Sequence, residues 1–352
     1  MEKLQQNDKV TFSIRVYNEG TVPAYAEEVI DIIPKDLAFD PESELNKKYG
    51  WVMMDENNEV TTDITKARYA STNYLSKATQ DEMNAKIREA IANGEEENES
   101  GVNNLLLAKV IENGKITIDY RLLEIEFTVK EPISEDRIIT NVALTPTYND
   151  DLGIGVTDID PIEVLEEHIE KIYVKSFDLS LKQVINKIIV TASNGEKLGE
   201  FSLENGDDIS KLAKIDIPKN KLEGSEVKVE YKITVTNEGE TSGYVSEITD
   251  HIPEGFIFRL EDNPDWSCAD GVYTYNALED VLLKPEESKE ITIVLIWNNI
   301  ENIGNKANLV EITKHLDENK LAVVDIDSTP GNLVLTEDDI DLTTVIIAVK
   351  TG

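Results

Sequence analysis

Hydrophobic and polar positions alternate in two stretches of this chain that lie 219 residues apart, at residues 11–39 and 230–258. The apolar members are Phe12, Ile14 and Val16 in the first stretch and Tyr231, Ile233 and Val235 in the second. A period of two is typical of a β-strand with one buried face. We therefore predict a strand at the same place in each stretch.

Both alternating runs end at the same tripeptide, Asn-Glu-Gly, which begins at Asn18 and again at Asn237. Glycine tolerates the positive φ of a tight turn, so a reversal of the chain is expected there. A second strand follows in each copy and stops at Pro34 or Pro253, because proline cannot donate to a ladder of hydrogen bonds. The pattern predicts two copies of one β-sandwich in an all-β chain.

The later parts of the two copies match at a smaller offset, because Asn141 in the first copy corresponds to Asn308 in the second. The first copy therefore holds about 52 additional residues. Their helical spacing predicts a partly helical insertion at about 62–101. We place the two domains at 1–175 and 176–352, and we expect the opening strand of the first to be missing.

Charge narrows the range of partners, because 70 acidic residues oppose 34 basic ones and give a net charge of -36. Nucleic acids and anionic membranes are attracted to clustered Lys and Arg, so neither is an expected partner. No run of apolar residues is long enough for membrane insertion. The single cysteine, Cys268, excludes an intrachain disulfide and is expected to be a small packing residue.

An acidic stretch near the C-terminus is the strongest candidate for binding chemistry. Calcium takes six to eight oxygen ligands in flexible geometry, and this stretch supplies many oxygens in a short length of chain. The candidate ligands are Asp325, Asp327, Asn332, Asp338, Asp339 and Asp341, with Glu337 beside them. The alternative is a solvated turn between two strands.

A Lys–Asn isopeptide cross-link is a second candidate, formed by Lys182, Asn308 and Asp250. This bond needs a buried lysine beside an asparagine, with a carboxyl group that moves protons in a site of low dielectric. The alternative is an exposed Lys182 and an Asp250 that accepts ordinary hydrogen bonds.

Signals for catalysis are poor. The three histidines have no zinc-type spacing, and the chain has neither a nucleophile elbow nor a phosphate-binding glycine loop. We predict no catalytic residue and no cofactor other than calcium. Trp51, Trp266 and Trp297 are expected in the cores, with Trp51 and Trp266 at equivalent positions.

Several segments together resemble the conserved repeat domains of large Gram-positive bacterial cell-surface proteins. They are IRVYNEG with ITVTNEG, EVIDIIP with EITDHIP, FDLSLKQVI, and DIDSTPGN with the residues that follow it. The resemblance implies tandem immunoglobulin-like or adhesin-like β-sandwiches at the surface or in the cell wall.

The expected function is therefore a non-catalytic structural or adhesive module within a longer repeat array. Its partners would be neighbouring repeats and a host or matrix protein or glycan. Two alternatives remain open, namely a carbohydrate-binding or accessory domain of a secreted glycan-active enzyme and a pilin-type subunit.

Overall fold

The computed structural model describes residues 2–93, 103–113, 115–132, 134–150, 155–156, 169–298 and 300–350. The chain divides into two compact units, Met1–Val174 and Lys175–Gly352, which we call unit 1 and unit 2. Strands dominate both units, so the prediction of an all-β fold is confirmed. The tandem immunoglobulin-like arrangement stays a prediction.

Unit 1 contains twelve short or medium strands among its described residues. They are β1 (Glu2–Leu4), β2 (Lys9–Asn18), β3 (Ala24–Ile32), β4 (Leu37–Phe39), β5 (Val52–Met54), β6 (Tyr69–Thr72), β7 (Val110–Glu112), β8 (Lys115–Thr117), β9 (Asp119–Val129), β10 (Ile138–Asp150), β11 (Gly155–Val156) and β12 (Ile169–Val174). Its helices are α1 (Glu44–Lys48) and α2 (Lys77–Asn93).

Unit 2 consists of strands and two short 3-10 turns, at Leu203–Asn205 and Lys219–Lys221. The strands are β13 (Leu179–Thr191), β14 (Lys197–Ser202), β15 (Leu212–Pro218), β16 (Glu226–Asn237), β17 (Gly243–His251), β18 (Phe256–Phe258), β19 (Trp266–Ala269), β20 (Val272–Tyr275), β21 (Ser288–Trp297), β22 (Gly304–Asp317) and β23 (Ile340–Lys350). Within the described part of the chain, no helix is long and apolar enough to span a membrane.

Two sheets of unit 2 share one core. One has the strand order β14-β13-β16-β21-β18 and the other the order β15-β23-β22-β17-β20-β19. Tyr231 and Trp297 from the first sheet are fully buried in one cluster with Ile248 and Val310 from the second. Because each sheet buries one face against the same apolar layer, unit 2 is a β-sandwich.

Unit 1 repeats this plan, but its first sheet has three strands where that of unit 2 has five. Its sheets have the orders β2-β9-β4 and β1-β12-β10-β3-β6-β5, and β11 pairs with β10. Phe12 and Phe127 from the smaller sheet share a core with Val29 and Ile139 from the larger one. In its smaller sheet, β2, β9 and β4 occupy the places of β16, β21 and β18.

The Asn-Glu-Gly tripeptide forms the same structure in both units. The amide of Asn18 donates to the carbonyls of Val22 and Leu106, and its Oδ1 accepts from the backbone of Gly20. Asn237 makes the corresponding three bonds, to Thr241, Leu283 and Gly239. The asparagine thus closes the turn through its side chain and ties it to a distant loop.

The two early tryptophans are also equivalent, as the sequence predicted. Trp51 donates its indole N–H to the carbonyl of Glu124 at 2.8 Å, and Trp266 donates to that of Thr292 at 2.7 Å. Trp51, Trp266 and Trp297 are all buried. Cys268, in contrast, is exposed on β19, so its expected packing role is wrong.

Part of the range predicted for the insertion of unit 1 is a strand of its larger sheet. Residues 69–72 form β6, which lies between β3 and β5 just as β20 lies between β17 and β19. The structure therefore assigns part of the predicted range 62–101 to the shared sandwich. The helix itself is α2, and residues 94–101 lie outside the described residues.

Candidate metal centre

Four aspartates of unit 2 meet at the start of its first strand. Asp178 directly precedes β13, Asp325 and Asp327 lie in the connection from β22 to β23, and Asp338 lies just before β23. One carboxylate oxygen from each lies within 4.8 Å of the others. We call these four residues the aspartate cluster.

Hydrogen bonds from backbone amides join the start of β13, which carries Asp178, to the connection that carries the other three aspartates. The amide of Leu179 donates to Asp325 Oδ2 at 2.8 Å, and the amide of Leu181 donates to the carbonyl of Asp338 at 2.7 Å. In the opposite direction, the amide of Ile326 donates to the carbonyl of Phe177 at 3.0 Å. The connection before β23 thus supplies hydrogen-bond partners to backbone groups along the edge of the first half of β13, which β14 does not pair with.

Burial, together with neighbouring carboxylates in two cases, raises the pKa values of three members of the cluster. Burial, followed by the charges of Asp325 and Asp327, raises the pKa of Asp178 to about 7. Burial and the charges of Asp327, Asp178 and Asp325 raise the pKa of Asp338 to about 7 as well. Burial also raises the pKa of Asp325. The arrangement is therefore unfavourable for four free carboxylates at neutral pH.

Several buried oxygens at this site have no hydrogen-bond donor. Oδ1 of Asp178 and Oδ1 of Asp338 are shielded from solvent, and neither meets a partner among the described residues. The adjacent Asp339 is only 2% exposed, and neither of its oxygens accepts a bond from another described residue. Its pKa rises to about 7 through burial and the charges of Glu311, Glu337 and Asp325, so it adjoins the cluster through Asp325. Buried carboxylate oxygens without donors are costly unless a cation neutralises them.

The donor set fits a hard divalent cation. Calcium binds carboxylate oxygens at roughly 2.3–2.6 Å, so two ligands on opposite sides of one ion are about 4.8 Å apart. The four oxygens can therefore share one calcium ion, with water completing the coordination. Asp327 is exposed and leaves an open side for that water.

Three of the six predicted ligands belong to the cluster, namely Asp325, Asp327 and Asp338. Asn332 instead donates to Glu337 Oε2 and accepts from the amide of Val334. Asp341 accepts from the amide of Gln183 at 2.6 Å and from Lys211 Nζ. Asp339 lies beside the cluster but is not one of its four ligands.

Asp178 was missed because it lies 147 residues before Asp325 in the chain. Its signal in the sequence is local, since it immediately precedes the alternating run of β13. Only the pairing of β13 with the connection before β23 brings it to the other three residues.

The predicted isopeptide trio is only partly assembled. Asn308 donates its amide to Asp250 Oδ2 at 2.8 Å in the core, and burial raises the pKa of Asp250 to about 7. Lys182, however, is exposed on the outer face of β13. The inward position is Gln183, which accepts from Thr343, the cross-strand neighbour of Asn308. Lys182 therefore lacks the burial that the cross-link requires.

Unit 1 contains the same buried Asp–Asn pair. Asn141 donates to Asp31 Oδ2 at 2.8 Å, and burial raises the pKa of Asp31 to about 7. The pair occurs in both units although only unit 2 has a strand corresponding to β13 among the described residues. Its role is therefore explained by packing between strands and needs no lysine.

No protein-family model matches the chain, and no curated protein matches it in sequence. Solved structures with a weak likeness include the CARDB domain of a Pyrococcus furiosus protein, at 14% identity over 50% of this chain and 99% of that domain, with a TM-score of 0.25. The mutant BspA C-terminal structure matches at 10% identity over 98% and 93% of the two chains, with a TM-score of 0.32. The C-terminal domain of the Streptococcus pyogenes antigen I/II-family protein AspA matches at 12% identity over 98% and 94%, with a TM-score of 0.27. These likenesses are too weak to carry an argument about function.

Proposed function

We propose that this chain is a non-catalytic structural and adhesive module of a Gram-positive bacterial cell-surface protein, and that calcium clamps its second sandwich. The observation that carries the proposal is the aspartate cluster. Its members come from the start of β13 and from the connection before β23, so one ion would join the first strand of unit 2 to the approach to its last strand.

Extracellular conditions suit such a site. Calcium sites of extracellular modules typically bind with dissociation constants of about 10⁻⁴ to 10⁻³ M, which matches millimolar free calcium. Calcium that binds only the folded state stabilises it by mass action. A site of this kind would hold unit 2 rigid outside the cell and release it where calcium is low.

The distribution of buried polar groups supports a structural role. Asn18, Asn237, Asn46 and Asn263 use their amides to tie backbone segments together, and the two Asp–Asn pairs cross-connect strands of the sheets. These residues recur at matching positions of both units. They are therefore explained by the shared framework without a reaction at either place.

Calorimetry of the full chain tests the calcium clamp. We expect 2 mM calcium to raise the melting temperature of unit 2 above its value in EDTA by a few degrees, since about 1–2 kcal/mol is gained at tenfold excess over the dissociation constant. The variant Asp178→Asn should melt higher than the wild type in EDTA, because it relieves repulsion, and should lose the response to calcium.

The matched control is Asp270→Asn, which removes an exposed carboxylate of unit 2 far along the chain from the cluster. It should retain the full calcium response. An unchanged melting temperature of the wild type upon calcium addition would refute the clamp, as would an equal response from Asp178→Asn.

The insertion of unit 1 is the proposed place for a host or matrix partner. Gln80 of α2 is buried and accepts from the amide of Asn104, which fixes one face of the helix to the unit. The remaining face is open for contact. Deleting 77–93 should abolish binding to a matrix protein that the full chain captures, and unchanged affinity would exclude this surface.

A carbohydrate-binding role is the second candidate, and one cleft favours it. Tyr275, Asp265 and Glu290 line a depression of about 320 Å³, and the ring centroids of Tyr275 and Trp266 are 5.4 Å apart. Ligand pockets commonly combine aromatic side chains with a few polar groups, and this depression offers both. A glycan array probed with the wild type and Tyr275→Ala decides it, because only sugar binding that depends on Tyr275 supports this role.

A further inference from the structure

The outer edge of β2 in unit 1 differs from its counterpart in unit 2. In unit 2, β16 pairs with β21 on one side and with β13 on the other. In unit 1, β2 pairs with β9, and its other edge meets no strand among the described residues. Within the part of unit 1 that the structure describes, this sheet therefore ends at β2, whereas the same sheet of unit 2 continues to β13 and β14.

Side-chain burial records the effect of this difference. Tyr231, Ile233 and Val235 of β16 are each 0% exposed. Their counterparts are less covered, since Phe12 and Val16 are each 6% exposed and Ile14 is only partly buried. Among the described residues, nothing covers the core of unit 1 at this edge as β13 does in unit 2.

The residues that provide this cover in unit 2 are known from the register of β13 with β16. Leu181 lies opposite Val235, Gln183 opposite Ile233, and Ile185 opposite Tyr231. Leu181 and Ile185 are buried in the shared core together with Leu179, Ile188 and Val190. A segment with this alternation would reach the same depth over Val16, Ile14 and Phe12.

We propose that the β2 edge of unit 1 is a strand-acceptor site, and that its occupant is a β13-type strand from a neighbouring repeat. An unpaired edge strand offers a row of backbone donors and acceptors, and an added strand gains specificity from alternate side chains. The source of the strand rests on the repeat array proposed above, whereas the site itself rests on the difference between the two units.

Cross-linking of the full chain with a synthetic peptide tests both the site and its register. The peptide carries residues 177–191 with Lys182→Cys, and the protein carries Arg15→Cys and Cys268→Ser. Lys182 lies opposite Thr234, whose counterpart is Arg15, and all these side chains except Thr234 are exposed. A β13-type pairing would therefore bring the two introduced thiols face to face.

The wild-type chain is the matched control, because its Cys268 is exposed but lies on β19 of unit 2. With dissolved oxygen as the oxidant of the two thiols, we expect the mixed disulfide to form about tenfold faster with the Arg15→Cys protein than with the wild type. A peptide that also carries Leu181→Asp and Ile185→Asp should lose this advantage, since it would bury two carboxylates.

Equal rates for the two proteins, or no penalty for the charged peptide, would overturn the proposal. The proposal would also be overturned if two copies of the Arg15→Cys protein formed a disulfide with each other faster than with the peptide, and if added peptide did not slow that reaction. The occupant would then be a second copy. The calcium response measures a property of unit 2, whereas the cross-link measures a property of unit 1. Failure of the strand-acceptor proposal is therefore distinguishable from failure of the proposed function.

Discussion

Unit 1 and unit 2 share the same core contacts but differ in the elements added to them. Each unit buries a tryptophan, which contacts β9 in unit 1 and β21 in unit 2. Each also closes its Asn-Glu-Gly turn through the asparagine side chain and holds an Asp–Asn pair in its core. Only unit 2 has β13 and the aspartate cluster among the described residues, and only unit 1 has α2.

This difference separates framework from function. Contacts that recur in both units are explained by the requirements of the sandwich, because each unit needs them to bury its core. Features found in one unit have no such explanation, which is why the cluster, the β2 edge and α2 are the places to look for binding. Substitutions at the shared contacts and at the unshared ones test this difference between the units.

The largest expected effect concerns the shared tryptophans. Trp51→Ala and Trp266→Ala should each destabilise their own unit by about 4 kcal/mol, because each leaves a large cavity and an unpaired backbone carbonyl. Differential scanning calorimetry measures both. Leu260→Ala, at an exposed position, should change stability by less than about 0.5 kcal/mol. A small loss in one unit beside a large loss in the other would break the equivalence.

A smaller effect concerns pH and the two Asp–Asn pairs. The pKa of Asp31 and of Asp250 is about 7 in the folded chain and near 3.8 when unfolded, so the native state retains a proton that the unfolded chain has lost. Stability from each pair is therefore fully present below pH 4 and is lost as pH rises towards 7. Between pH 4.5 and 7.5 we expect unit 1 and unit 2 each to lose on the order of 3 kcal/mol from this pair.

Substitution sharpens this pH comparison. Asp31→Asn should remove most of the slope in unit 1. Asp250→Asn should leave unit 2 with part of its pH dependence in EDTA, because Asp178 and Asp338 also titrate near 7. Calcium should abolish this remaining pH dependence. Urea denaturation at pH 4.5, 6 and 7.5 measures these slopes. An unaltered slope in unit 1 after Asp31→Asn would contradict the assignment.

The smallest effect is expected at Lys182. Because this side chain is exposed on β13, Lys182→Ala should change stability by less than about 0.5 kcal/mol. Intact mass spectrometry should give the mass of the unmodified sequence for both proteins. A wild type that is lighter by one ammonia, with Lys182→Ala at full mass, would restore the isopeptide hypothesis.

Much of the framework could be predicted from the sequence, because alternation and turn residues are local signals. The runs at Phe12 and Tyr231 gave β2 and β16, and the Asn-Glu-Gly turns were recognised from three residues. Residues 69–72 were assigned to the insertion because a four-residue strand carries too little periodicity to be distinguished from its surroundings.

The candidate site was only partly predictable, because its ligands depend on long-range register. Asp325, Asp327 and Asp338 were found from local acid density, which also pointed to Asn332 and Asp341, although these two serve turns and backbone amides. Both an isopeptide role and an exposed position remained open for Lys182, because its sequence position could not tell the inward face of β13 from the outward one. A shift of one residue exchanges those faces.

The calcium clamp is tested most directly by hydrogen–deuterium exchange of the full chain with and without calcium. The amides of Leu179 and Leu181 bond to Asp325 and Asp338, so calcium should slow exchange in 177–185 and 325–341 and leave β2 unchanged. Equal exchange in these two segments with and without calcium, or slowing spread evenly over both units, would contradict the account.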